Sequence, residues 1–148
     1  MIHYIGTKHI KAQPMTRAEF VAYRYPNQEP NPDAGAPDDE GYLVEYTDGG
    51  QPNHLAHAGY ISWSPKAQFD AAYLSLGDIS HLKPHEQRVV GELEQLDDKV
   101  KKLEAFLATP ACANLPHDDR ELLKMQATAM VHYLSILSHR VERFGGAK

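Results

Sequence analysis

"VVGELEQLDDKVKKLEAFL", residues 89–107, decides the fold. Val89, Leu93, Leu96, Val100, Leu103 and Leu107 recur at alternating steps of four and three. That spacing places one apolar seam along a helix, of the kind that packs against a partner helix. Pro84 suits the first turn, where a missing N–H costs nothing, and Thr109-Pro110 marks the end. A loop, "PACANLPHD", follows, and Asp118 and Glu121 then stand at capping-box spacing. Leu123, Met130, Tyr133, Leu134, Leu137, Val141 and Phe144 carry a second seam, which Gly145-Gly146 stops. Each helix is expected to hold about 24 residues and to be roughly 36 Å long. The short connection folds them into an antiparallel αα-hairpin. Two helices cover each other's seams only in part, which predicts a homodimer with a four-helix core, or a higher oligomer.

Upstream of this hairpin the composition changes. Tyr, Pro, Gly and Asn are frequent before Leu76-Gly77-Asp78, so the chain divides into a small α+β domain over 1–76 and a helical hairpin over 77–148. "IHYIGTKHIKA" (2–12) has the β-branched and aromatic content of a strand. In "PMTRAEF" (14–20), Thr16 is the expected N-cap and Glu19 its reciprocal partner. Met15 and Phe20 fall at the positions of a hydrophobic staple. Pro26 ends that helix near Tyr23 or Arg24. Residues 26–40 hold Pro26, Pro30, Pro32 and Pro37 and read as loop. "DEGYLVEYTDGGQPN" (39–53) contains a strand with Tyr42, Val44 and Tyr46 on one face and Leu43 and Glu45 on the other. Asp48-Gly49-Gly50 reverses the chain, and "GYISW" (59–63) pairs back. Ser64-Pro65 reads as cap and N1 of a short helix with Phe69, Ala72 and Tyr73 on its apolar side. The fold class is therefore α+β: a small antiparallel sheet with short helices, then a long antiparallel αα-hairpin.

Bulk properties narrow the function. The chain has 148 residues and a formal charge of −5. Residues 1–78 hold 5 Lys and Arg against 10 Asp and Glu, and residues 79–148 hold 10 of each. An acidic first half argues against duplex nucleic acid as partner. No apolar run reaches the length of a membrane span, and "MIHYIGTKHIK" lacks the pattern of a signal peptide, so a cytoplasmic location is expected. The single cysteine, Cys112, has no internal disulfide partner.

Candidate chemistry is sparse. The nine histidines include the pairs His54/His57, His81/His85 and His132/His139, but no run has metal-motif spacing, and the plainer reading is exposed polar side chains. Cys112 has no neighbouring His or Lys, no serine stands in a G-x-S-x-G elbow, and Asp38-Asp39-Glu40 reads as a solvated loop. No catalytic residue, metal or cofactor is assigned. Gln126 falls where the heptad wants an apolar residue, which fits a register-setting buried amide or a pocket donor. Arg88, Lys124, Arg140 and Arg143 can grip phosphate bidentately or form ordinary surface ion pairs. Tyr4, Tyr23, Tyr25, Tyr42, Tyr46, Tyr60, Trp63 and Tyr73 crowd the first half beside Lys8, Arg17 and Arg24. They suit a base-stacking wall as well as a small core.

Over residues 3–74 the chain resembles a phage accessory domain, in "YIGTK", "PMTR", "DEGYLVEYTDGGQPN" and "GYISWSPKAQFDAAY". It departs from that pattern at "YRYPNQEP" (23–30), where relatives carry a Trp after "YRG". The second half resembles a helical-hairpin family named after a crAss-like phage protein, in "QRVVGELEQLDDKVKKLEAFL" and "LLKMQATAMVHYLSILSHRVERF". The same kind of first domain occurs joined to a module resembling the second Thoeris anti-defence family, whose members sequester nucleotide immune signals. The resemblance implies a phage or prophage protein acting against defence in the cytoplasm of a bacterial host. It implies a non-enzymatic sponge for a small cyclic nucleotide or ADP-ribose-derived signal, working as a homo-oligomer through its hairpin. The expected binding residues are Lys8, Arg24, Tyr42 and Trp63 in the first half and Arg88, Gln126 and Arg140 in the second. The pocket is expected at a subunit or domain junction. The alternative is a module that binds and inhibits a host protein, the hairpin serving only to dimerise. A metal-dependent hydrolase built on the histidines ranks third.

Overall fold

The computed structural model describes residues 1–3, 5–27 and 35–144. Tyr4, residues 28–34 of the proline-rich stretch and the Gly145-Gly146 stop lie outside the described residues. The chain has two compact units, Met1–Tyr73 and Leu74–Lys148. The fold is α+β: strands and short helices in the first unit, long packed helices in the second.

The first unit runs β1 (Lys11–Pro14), α1 (Arg17–Arg24), β2 (Gly41–Tyr46), β3 (Tyr60–Pro65) and α2 (Lys66–Ala72). Its sheet has the order β1-β2-β3 and is antiparallel throughout, with Leu43 opposite Gln13 and Trp63. The strand expected over 2–12 is shorter and later: only Lys11 to Pro14 pair with β2. Residues 5–9 are exposed, so no apolar face ties them to the sheet.

α1 starts as its sequence dictates. The Thr16 N–H donates to the Glu19 carboxylate at 2.8 Å, and the Glu19 N–H returns to Thr16 Oγ1 at 3.3 Å. Met15 packs beside Phe20, Leu43, Ile61 and Trp63, which form the core on the α1 side of the sheet. The opposite face carries Tyr42, whose ring stacks on Phe69 of α2 at 4.0 Å, with Phe69 in turn 4.8 Å from Tyr73. Val44 is fully buried. The Ser64 cap does not form. β3 continues through Ser64 to Pro65, which becomes the residue before α2 and lacks a side-chain cap.

The turn after β2 uses positive φ at Gly49 (141°) and Gly50 (103°), a region that favours glycine. The rest of that long connection is held by Asn53. Its amide accepts from the Ile61 N–H at 2.7 Å and donates to the Ile61 carbonyl at 2.9 Å, in place of a further strand.

The second unit runs α3 (Pro84–Leu107), α4 (Pro110–Ala113) and α5 (His117–Val141). α3 and α5 pack together as an antiparallel hairpin. Every residue of the 89–107 seam is buried or half-buried. The connection is more ordered than a loop. Thr109 Oγ1 caps α4 by accepting from the Cys112 N–H at 3.2 Å, and Cys112 is buried. Asp118 is not the cap of α5. The helix begins at His117 after Pro116, so Asp118 and Asp119 sit inside its first turn, where carboxylates favour the helix dipole.

The α5 seam differs at two places. Ala127 takes the inward position expected of Gln126, completing Leu123, Ala127, Met130, Leu134, Leu137 and Val141, all half-buried or buried. Gln126 is exposed and reaches Met130 Sδ at 3.6 Å. It is therefore not a buried register residue. Tyr133 is also exposed, one position off the seam.

Candidate functional site

In the first unit, the four expected binding residues do not share a face. Trp63 points to the α1 side, where its indole N–H donates to the Met15 carbonyl at 2.9 Å. Its ring is covered by the Arg17 guanidinium at 4.1 Å, and Arg17 is held by Asp39 at 3.1 Å. Tyr42, one residue along from the partner of Trp63, projects to the α2 side. The two rings cannot sandwich one base. Lys8 is exposed, paired with Asp48 at 3.0 Å and 5.9 Å from the Tyr46 ring. That pairing, by hydrogen bond first, holds the Asp48 carboxyl below its usual range. Arg24 ends α1 with its guanidinium 4.7 Å from the Tyr25 ring.

A shallow groove of about 390 Å³ opens beside Tyr42, between Met15, Thr16, Glu40 and Lys66. Lys66 sits 5.7 Å from the Tyr42 ring. It faces Asp70 at 2.6 Å, and that hydrogen bond raises the ammonium pKa above its ordinary value. Glu19 and Glu40 also line the groove, so its charge disfavours an anion.

A second arrangement had no local signal. His57 bridges Glu45 (Nδ1 to carboxylate, 3.2 Å) and the Tyr23 hydroxyl (Nε2, 2.9 Å), while His54 stacks on Tyr23 at 4.4 Å. Burial pushes the Glu45 carboxyl up. The hydrogen bonds from His57, Gly59 and Ala58, with the His57 charge, outweigh it and leave the group below its ordinary range. The network ties the 47–59 connection to α1. Its members are 34 and 12 residues apart, so only the strand register brings them together. Among the described residues no group of three or more His, Cys, Asp or Glu is placed to hold a metal ion.

In the second unit, the Tyr133 hydroxyl donates to the Glu92 carboxylate across the hairpin. That bond, then desolvation and the Glu92 charge, raise the phenol pKa, and nearby Arg140 opposes the rise. Arg88 lies one turn before Glu92 on the same face of α3, and Arg140 two turns after Tyr133 on the same face of α5. Antiparallel packing therefore sets Arg88 and Arg140 toward the same end of the hairpin, both beyond the Tyr133–Glu92 bond in that direction. Both are exposed. Gln126 stands 14 residues from Arg140, roughly 21 Å along the helix, and does not join them. The remaining groove, about 480 Å³ and shallow, lies on α5 itself, with Met125 and Ala129 as floor and Lys124, Thr128 and His132 around it.

Among the described residues no helix is long and apolar enough to cross a membrane. No curated protein and no solved structure matches the chain. A family model described as Sequestin matches residues 83–143. Those residues begin one position before α3 and end two after α5, so it is the helical hairpin that is similar to Sequestin.

Proposed function

We propose that this protein is a non-enzymatic binding protein that sequesters a small anionic signal, with the hairpin as its working part. The Sequestin match over the hairpin carries this reading, since the name of that family points to sequestration. Arg88 and Arg140 are the phosphate anchors. They are two guanidiniums toward one end of the hairpin, with the Tyr133 ring one to two turns away for a planar group. The signal is nucleotide-like, a cyclic nucleotide or an ADP-ribose derivative. The setting is counter-defence by a phage in the cytoplasm of its bacterial host, and the binding unit is a homo-oligomer. These finer points rest on the resemblances of both halves to phage proteins. Lys8, Arg24, Tyr42 and Trp63 belong to the first unit, do not share a face there, and are not the anchors in this reading.

Titration calorimetry of the full chain against a panel of cyclic and ADP-ribose-derived nucleotides tests the proposal. Binding of at least one member is expected, weakened about tenfold or more by Arg88→Ala or Arg140→Ala. No heat from any member, at protein well above micromolar, overturns it.

A second reading is favoured by the shallowness of both grooves. Small ligands prefer concave sites, whereas proteins dock on flat ones. In that reading the chain binds and inhibits a host protein. A stoichiometric host partner that survives nucleotide-free washing, together with a blank nucleotide panel, selects it.

A further inference from the structure

α5 carries two apolar stripes. One faces α3 and is covered. The other, Leu122, Met125, Ala129 and Ile136, recurs at steps of three, four and seven and is turned about a third of a revolution away from the first. It lies open: Leu122 is 63% exposed, Met125 66% and Ile136 47%. One seam requires one partner helix, and two seams require two. α3 is the partner of the first.

We infer that a second copy of this chain covers the other stripe, α5 against α5, antiparallel, about a two-fold axis close to Ala129. Three observations identify the occupant. The first is that the stripe reads alike in both directions. Ala129 stands seven residues from Leu122 and seven from Ile136, so reversal lays Leu122 of each copy on Ile136 of the other. Met125 then meets the region of Tyr133. A surface that is its own complement under reversal is what an isologous dimer requires. The second is the crossing point. Ala129 and Thr128 are small, so the two helices approach closely there, and the groove above Met125 and Ala129 receives side chains of the opposite helix.

The third observation is charge. The first turn of α5 holds Asp118 and Asp119, and its last turn holds His139 and Arg140. Antiparallel pairing sets the acidic end of each copy against the basic end of the other, whereas parallel pairing sets like against like. Asp118 and Arg140 lie on the same side of the helix as the stripe, at its two limits. This inference deepens the reading above, because it rests on the oligomer assumed there. The guanidinium of Arg140 has five N–H donors, enough for the Asp118 carboxylate of the second copy on one edge and a ligand on the other.

Sedimentation equilibrium of the full chain between about 1 and 100 μM tests the inference. The wild type is expected to be a dimer. Met125→Glu combined with Ile136→Glu is expected to give a monomer with unchanged helical circular dichroism, since neither side chain faces α3. Asp118→Arg alone is expected to weaken association about tenfold, and Asp118→Arg with Arg140→Asp to restore it. A wild type that stays monomeric at 100 μM overturns both this face and the oligomer of the proposed function. A wild-type dimer that persists in the double-Glu variant overturns this face alone and leaves the oligomer standing. An Asp118→Arg variant as tight as the wild type overturns the antiparallel arrangement. Nucleotide titration of the same samples reports separately on ligand binding.

Discussion

Thr16 and Glu19 show how far single residues specify local structure. The reciprocal hydrogen bonds were readable because the capping box needs only a three-residue spacing. Thr16→Ala removes one half and is expected to cost about 1 kcal/mol, lowering the melting temperature by about 4–8 °C in scanning calorimetry. Glu45 is the opposite case. Nothing around it in sequence announces His57, Tyr23 or the Gly59 N–H. Its pKa is lower folded than unfolded, so its contribution is present above about pH 4.5 and is lost as pH falls through the folded value. Glu19, Asp48, Asp70, Asp78 and Glu121 are depressed in the same direction. The melting temperature is therefore expected to fall steadily from pH 5 to pH 3. Glu45→Gln is expected to start lower at pH 7 and to fall less steeply, and a parallel pair of curves counts against the network.

At the scale of elements, periodicity read α3 well and α5 less well. The α3 seam has Leu or Val at every step. α5 has apolar residues on more than one side, so the heptad admitted Gln126 and Tyr133 where the packing uses Ala127 and leaves both others outside. Leu137 is fully buried against α3, and Leu137→Ala is expected to cost 2–5 kcal/mol of stability in urea unfolding. Gln126→Ala is expected to change it by no more than about 0.5 kcal/mol, because the side chain is exposed and its amide makes one weak hydrogen bond, to Met130 Sδ. A larger loss would return Gln126 to the seam. In the sheet, Gly41 lies against the Trp63 ring and Ser64 carbonyl, and a Cβ there would overlap both. Gly41→Ala is expected to disrupt the β2–β3 pairing, seen as lost dispersion of amide resonances.

For the molecule as a whole, the change of composition near residue 76 and the division after Tyr73 lie close together. No helix or strand occupies Tyr73 to Lys83. Brief chymotrypsin treatment is expected to cut first at Tyr73, Leu74 or Leu76, leaving the hairpin intact, since protease needs extended exposed backbone. First cuts inside α3 or α5 would contradict that division. The candidate site was legible only in part. Arg88 and Arg140 stand out for their chemistry alone, and it is the antiparallel hairpin that sets both toward one end of the unit. Tyr42 and Trp63 are both expected binding residues by their chemistry, and the pleat of β2 and β3 sends them to opposite faces.

What the amino-acid order determined by itself was local: the α1 cap, the Gly49-Gly50 turn, the extent of α3 and the hairpin. Each depends on contacts within a few residues or on one clean periodicity. The tertiary structure decided which α5 face meets α3, that Asn53 and His57 fasten the long connection, and that Tyr42 and Trp63 lie on opposite faces of the sheet. Those outcomes depend on packing and strand register between residues far apart in the chain, and a one-residue shift of either reverses what a side chain touches.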